Sequence, residues 1–170
     1  MSSEITSVLK GGVMISIARN QAQIIDILDD LINSKKMLGV YLSSIQPHDK
    51  IIEELKKDNI ESTSLFFLDT IGKNVDSEQN VFILRDPSDL TELSVIITEI
   101  MENECIEFLI LDTIDGLGNY TDIGNIKKFL QSLVNYMKKL NKLLIVIYEE
   151  KENAELKNFV AMISNFHKKI

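Results

Sequence analysis

The chain has 170 residues, enough to bury one sizeable core, and 45% of them are hydrophobic against 26% charged. Eighteen basic and 26 acidic residues leave a formal net charge of −8, spread over both halves, which speaks against the cationic stripe that nucleic-acid binding needs. One cysteine, Cys105, excludes an internal disulfide and fits a reducing compartment, and no apolar run approaches the ~18 residues of a membrane helix.

The N-terminus, Met1-Ser2-Ser3-Glu4, lacks a basic region followed by an apolar one, so no signal peptide is read and a cytoplasmic location is expected. Residues 1–11 read as a polar tail and 12–170 as a single α/β domain. Within it, short apolar runs at 13–18, 38–43, 65–71, 81–84, 108–111 and 143–148 alternate with helical periodicity. Each run is nearly continuous, the pattern of strands covered on both faces. Ile24, Ile25, Leu28, Leu31 and Ile32 mark the inner face of a first helix, and Ile51, Ile52 and Leu55 that of a second, with Pro47 in its first turn. Asp86 as N-cap, Pro87 and Asp89 open a third, carrying Leu90, Leu93, Ile96, Ile97 and Ile100 inward. Thr121 or Asp122 opens a fourth over Ile126, Phe129, Leu130, Leu133 and Met137. A last helix is expected from about Asn153 to His167, with His167 and Lys168 as favourable charge at its C-terminus. The 72–80 link is too short for a helical crossover and suits a loop to an edge strand. This alternation predicts βαβ units and a mostly parallel sheet between two helical layers.

In such sheets ligands bind at the carboxyl ends of the strands. Arg19, Ser43, Ser44, Asp69, Asp112 and Thr113 stand there and are the candidate ligand-binding residues. Residues 108–113 form an apolar run closed by Asp112, the outline of a Walker B strand whose carboxylate holds Mg²⁺ in phosphate-loop enzymes. A strand also ends in aspartate simply because it is over. Asp69 closes a similar run, and the two acids could share a divalent cation if their strands are neighbours, or cap turns instead. A phosphate loop needs G-x-x-x-x-G-K-[ST], so that amides curl around phosphate and lysine reaches it. Gly72-Lys73 is the only Gly-Lys pair, with Phe67 and Asn74 at the other required positions. After the first strand the chain reads Ala18-Arg19-Asn20-Gln21, with neither glycine nor lysine. Gly116-Leu117-Gly118 reads as a turn. His48 and His167 adjoin no obvious Ser or Cys, and metal-ligand spacings of the H-x-x-x-H or C-x-x-C type are absent. The lysines 127, 128, 138, 139 and 142 read as a solvated face.

Over about residues 12–167 the chain resembles archaeal RecA/KaiC-like domains of unknown function that lack the phosphate loop. The resemblance rests on Gly39-Val40-Tyr41-Leu42-Ser43-Ser44 with Pro47, on Leu65-Phe66-Phe67-Leu68-Asp69-Thr70-Ile71, on Asp89-Leu90-Thr91-Glu92-Leu93-Ser94, and on residues 108–113 as a Walker B relic. It implies a three-layer α/β/α RecA-like sandwich, with room for one strand beyond the Walker B segment, at 143–148. It also implies no ATPase activity, since 43–46 (Ser-Ser-Ile-Gln) has no acid where active relatives carry a water-activating glutamate. The expectation is therefore a non-catalytic regulatory or protein-interaction module, with no cofactor and no membrane or nucleic-acid partner. It would self-associate or dock on a related ATPase or signalling protein. A sensor binding a nucleotide or small ligand at the strand ends, and a divergent Mg-dependent phosphohydrolase built on Asp69 and Asp112, are the alternatives.

Overall fold

Strands covered on both faces need apolar side chains at every position, and the apolar runs fold accordingly. In a computed structural model of the chain, which describes residues 11–72, 80–151 and 153–168, the strands are β1 (Met14–Ala18), β2 (Leu38–Ser43), β3 (Leu65–Asp69), β4 (Val81–Ile83), β5 (Ile106–Asp112), β6 (Leu143–Tyr148) and β7 (Phe166–Lys168). They form one sheet in the order β4-β3-β2-β5-β6-β1-β7, with every pair parallel. The 72–80 link does lead to an edge strand, β4; the expected tail lies, for residues 1–10, outside the described residues.

Helices α1 (Gln21–Leu28, running on as a π-helical turn, Asp29–Ser34) and α2 (His48–Lys57) cover one face. Ile24, Ile27 and Leu31 there pack with Ile15, Ile17, Tyr41, Phe67 and Ile110. Helices α3 (Leu90–Met101), α4 (Ile114–Leu117), α5 (Ile123–Lys139) and α6 (Ala154–Ile163) cover the other. Leu93, Ile97, Leu130 and Val160 there meet Val40, Leu109, Leu111 and Val146. This is the expected three-layer α/β/α sandwich around a parallel sheet. Gly39 lets β2 lie against Phe108, since a Cβ on it would meet the Phe108 ring at 2.3 Å.

Three local expectations are corrected and one alternative is decided. The cap of α3 is Asp89, whose carboxylate accepts from the Thr91 and Glu92 amides at 3.0 and 2.9 Å, while Asp86 closes a tight turn onto Ser88 just before it. Both acids are good caps three residues apart, and the inward side chains decide between them. Of the two residues expected to open the fourth helix, Thr121 and Asp122, it is Asp122 that caps α5. Gly116 and Leu117 belong to the short helix α4, whose Thr113 side chain caps it at Gly116. The last helix stops at Ile163, and 166–168 become β7 beside β1, so the sheet gains two strands beyond β5 rather than one. His167 and Lys168 therefore sit on an edge strand. The Ser16 hydroxyl meets His167 Nδ1 at 2.7 Å, and the His167 ring stacks on Tyr148 at 5.4 Å.

Candidate functional site

Because all seven strands run parallel, their carboxyl ends share one edge, where ligands bind in open α/β sheets. Alternation along the strands places Ser43, Asp69 and Asp112 on the α1/α2 face of that edge, two residues beyond Tyr41, Phe67 and Ile110. Ser43 pairs in register with Asp69 on one side and with Asp112 on the other. The two acids are thus on strands separated by β2, about 10 Å apart at two strand spacings. The condition set for a shared cation, neighbouring strands, is therefore not met. Among the described residues no group of three or more His, Cys, Asp or Glu side chains is arranged to hold a metal ion.

Asp112 is wholly buried and spent on two internal partners. Arg19 Nε donates to its Oδ1 at 3.1 Å, and the Tyr41 hydroxyl donates to its Oδ2 at 2.5 Å. The same Arg19 Nε lies 3.7 Å from Glu149 Oε1, at the end of β6. A buried carboxylate must be paired and hydrogen-bonded to be tolerated, and both requirements are met inside the chain. Burial first, then the charge of Asp112 and its hydrogen bond, push the Tyr41 phenol well above its ordinary pKa.

Asp69 is equally buried and equally spent. Its Oδ2 accepts from the His48 backbone N–H at 2.9 Å and lies 2.8 Å from His48 Nδ1; its Oδ1 accepts from the Ile71 and Gly72 amides at 2.7 and 2.8 Å. Burial alone would raise its pKa, but hydrogen bonds from the His48 backbone and ring, then from Gly72 and Ile71, outweigh it and hold the carboxyl below its ordinary value. Asp69 is thus the turn-capping acid, fastening the start of α2 to the loop after β3.

Where a phosphate loop would stand, β1 joins α1 through Arg19 and Asn20 alone. The Arg19 amide donates to the Tyr148 carbonyl at 2.8 Å, and the Asn20 side chain caps α1 by accepting from the Gln23 amide at 3.1 Å. A link of two residues is too short to form the glycine-rich loop that wraps a phosphate. Above them Gln21 of α1 donates to Glu54 of α2 at 2.5 Å, and Gln46 approaches the same oxygen at 3.4 Å. One guanidinium, that of Arg19, thus faces two carboxylates, Asp112 and Glu149.

The remaining candidates are structural in their contacts. The Ser43 hydroxyl donates to the Gln46 carbonyl, and the Ser44 hydroxyl donates to the Thr113 carbonyl while accepting from the Thr113 amide at 3.0 Å. A Cβ on Gly116 would fall 2.2 Å from Ser44 Oγ, so β2 and α4 abut directly. The peptide between Asp112 and Thr113 is cis. The structure brings Arg19, Asp112 and Thr113 together with Ser44, and leaves Asp69 to a separate cluster. Sequence reasoning missed Tyr41, His48, Glu54 and Gln21 as partners. A tyrosine at an inward position of a buried strand was a usable signal, since its hydroxyl must find an acceptor. Two clefts lie on the opposite face of the sheet from Ser43, Asp69 and Asp112, among the helix starts that follow the strands. One of about 420 Å³ separates α3 from α5 beside Asp89 and Lys128, and one of about 600 Å³ lies at the starts of α5 and α6.

No protein-family model matches the chain, and no curated protein matches it. Solved structures do. The KaiC-like protein PH0186 of Pyrococcus horikoshii OT3 superposes with a TM-score of 0.67 at 10% identity, over 89% of this chain and 73% of that one. The flagellar accessory protein FlaH of Methanocaldococcus jannaschii gives 0.63 at 12%, over 95% and 72%. PH0321 of Pyrococcus horikoshii, an uncharacterised protein crystallised with an unknown peptide, gives 0.66 at 15%, over 94% and 78%. At these identities the likeness is one of fold: the chain has the RecA/KaiC-like architecture. Among the described residues, no helix is long and apolar enough to cross a membrane.

Proposed function

We propose that this chain is a non-catalytic RecA/KaiC-like module that acts by binding other proteins, without hydrolysing ATP. The observation that carries the reading is the state of the strand-end crevice. Asp112, the acid in the Walker B position, is closed off by Arg19 and Tyr41, and the β1–α1 link is two residues long. Hydrolysis requires a phosphate cradle, a metal-holding carboxylate and a water-activating base. The first has no backbone here, the second is spent internally, and 43–46 offers no acid for the third. A complete α/β core retained around a filled site is what a scaffold for contacts needs. FlaH is a flagellar accessory protein and PH0321 was crystallised with a peptide; by analogy of fold, the partner here is another protein or a second copy of the chain.

Two measurements test the proposal together. Phosphate release from Mg-ATP should stay at the buffer level, and light scattering or cross-linking should reveal a dimer, a larger assembly or a complex with a related ATPase. Turnover abolished by Asp112→Asn would overturn the first half, and a strict monomer with no partner the second.

A further inference from the structure

The cation that neutralises Asp112 is covalently part of the chain. Arg19 Nε lies 3.1 Å from Asp112 Oδ1 and 3.7 Å from Glu149 Oε1, so one nitrogen faces two carboxylate oxygens on adjacent strand ends, β5 and β6. The Asp112 side chain is fully buried, whereas the Arg19 side chain keeps 19% exposure, so the counter-charge enters from the solvent side. The second oxygen of Asp112 is held by Tyr41 from beneath, which fixes Oδ1 toward Arg19. A divalent cation at Asp112 does not fit while the guanidinium stands there, because hard cations need oxygen ligands at about 2.0–2.6 Å and the nearest carboxylate oxygen already faces a positive group.

We infer that Arg19 is a built-in replacement for a divalent cation, and that its side chain keeps metal from the two carboxylates, Asp112 and Glu149, that it faces. Two properties favour arginine for the task. It stays charged at every relevant pH, and its planar donors match carboxylate geometry while it tolerates partial burial. Arg19 also spans β6, linking the turn after β1 to the end of β5, which a free ion bound at Asp112 would not do.

The test uses the full chain, wild type and Arg19→Ala, titrated with Mn²⁺ and followed by the paramagnetic signal of the free ion and by thermal unfolding. Wild type should bind no Mn²⁺ saturably. Arg19→Ala should bind about one equivalent, and a ~100-fold excess over Kd should raise its Tm by about 5–10 °C. Adding Asp112→Asn to Arg19→Ala should abolish the binding. Arg19→Gln, which keeps a neutral donor beside Asp112, covers the case in which the alanine variant does not fold, and should bind Mn²⁺ more weakly than Arg19→Ala does. Saturable binding by wild type with the same midpoint as the variant would overturn the inference. So would folded variants that ignore Mn²⁺, or variants that Mn²⁺ fails to restore to the folded state.

Discussion

Asp69 offers the sharpest quantitative prediction, because one buried carboxylate holds three backbone amides and an imidazole at 2.7–2.9 Å. Asp69→Ala deletes every acceptor at once. Ile71 and Gly72 are only half-buried, so water can satisfy their amides, but the His48 amide and ring are left inside. Hydrogen bonds to a charged group contribute about 1.5–3 kcal/mol each and are not additive. The loss should therefore be about 3–5 kcal/mol, a third or more of a typical domain's stability. Asp69→Asn keeps one acceptor oxygen but turns an NH₂ toward a donor, so its cost should be smaller, about 1–3 kcal/mol. The pH dependence gives an independent check. The folded-state pKa of Asp69 is depressed, so its stabilisation is complete above the unfolded value near ~3.9 and is lost as pH falls through the lower folded value. A protonated aspartate resembles asparagine, so the gap between wild type and Asp69→Asn should hold from pH 7 to about 4 and close below that. Urea unfolding at a series of pH values measures it. A gap under about 0.5 kcal/mol at pH 7, or one unchanged down to pH 2, would refute the reasoning.

The other predictions follow from the same contacts. Tyr41→Phe leaves Asp112 Oδ2 without its donor and should cost about 1–3 kcal/mol in urea unfolding, with no change in fold by circular dichroism. In alkaline titration Tyr41 should resist ionisation: its raised pKa means stability is constant below the unfolded value near ~10 and falls as pH rises beyond it, so its phenolate absorbance should appear only with unfolding. Gly39→Ala drives a Cβ into the buried Phe108 ring and should destabilise by about 1–3 kcal/mol, partly restored by Phe108→Leu. Lys142→Ala frees the carbonyls of Met101 and Asn103, which its ammonium joins at 2.5 and 2.7 Å at the end of α3, and should cost about 1–2 kcal/mol, since Asn103 is exposed to water but Met101 is buried.

Most of the sheet was legible because strands buried on both faces are written as unbroken apolar runs, and 38–43 and 143–148 match β2 and β6 residue for residue. The strand β7 was not, since Phe-His-Lys is short, polar at two of three positions and continuous with the apolar periodicity of α6. What makes it a strand is an open edge of β1, a tertiary fact. Candidate acids were found for the same reason that strands were: each ends an apolar run. Their occupants could not be found that way. Tyr41 reaches Asp112 across a strand pair 71 residues apart in sequence, Arg19 reaches it over β6, and His48 meets Asp69 from the first turn of α2. Pairing between residues so distant leaves no local pattern. The absence of a phosphate-loop motif was visible from sequence; that the β1–α1 link is only Arg19 and Asn20 needed the helix start, set by the Asn20 cap.

Calorimetric titration of the wild-type chain with Mg-ATP addresses the filled crevice most directly. The account predicts no saturable heat, because Asp112 is held by Arg19 and Tyr41 and no backbone cradle stands between β1 and α1. Stoichiometric binding that requires Mg²⁺ and disappears in Asp112→Asn would contradict it.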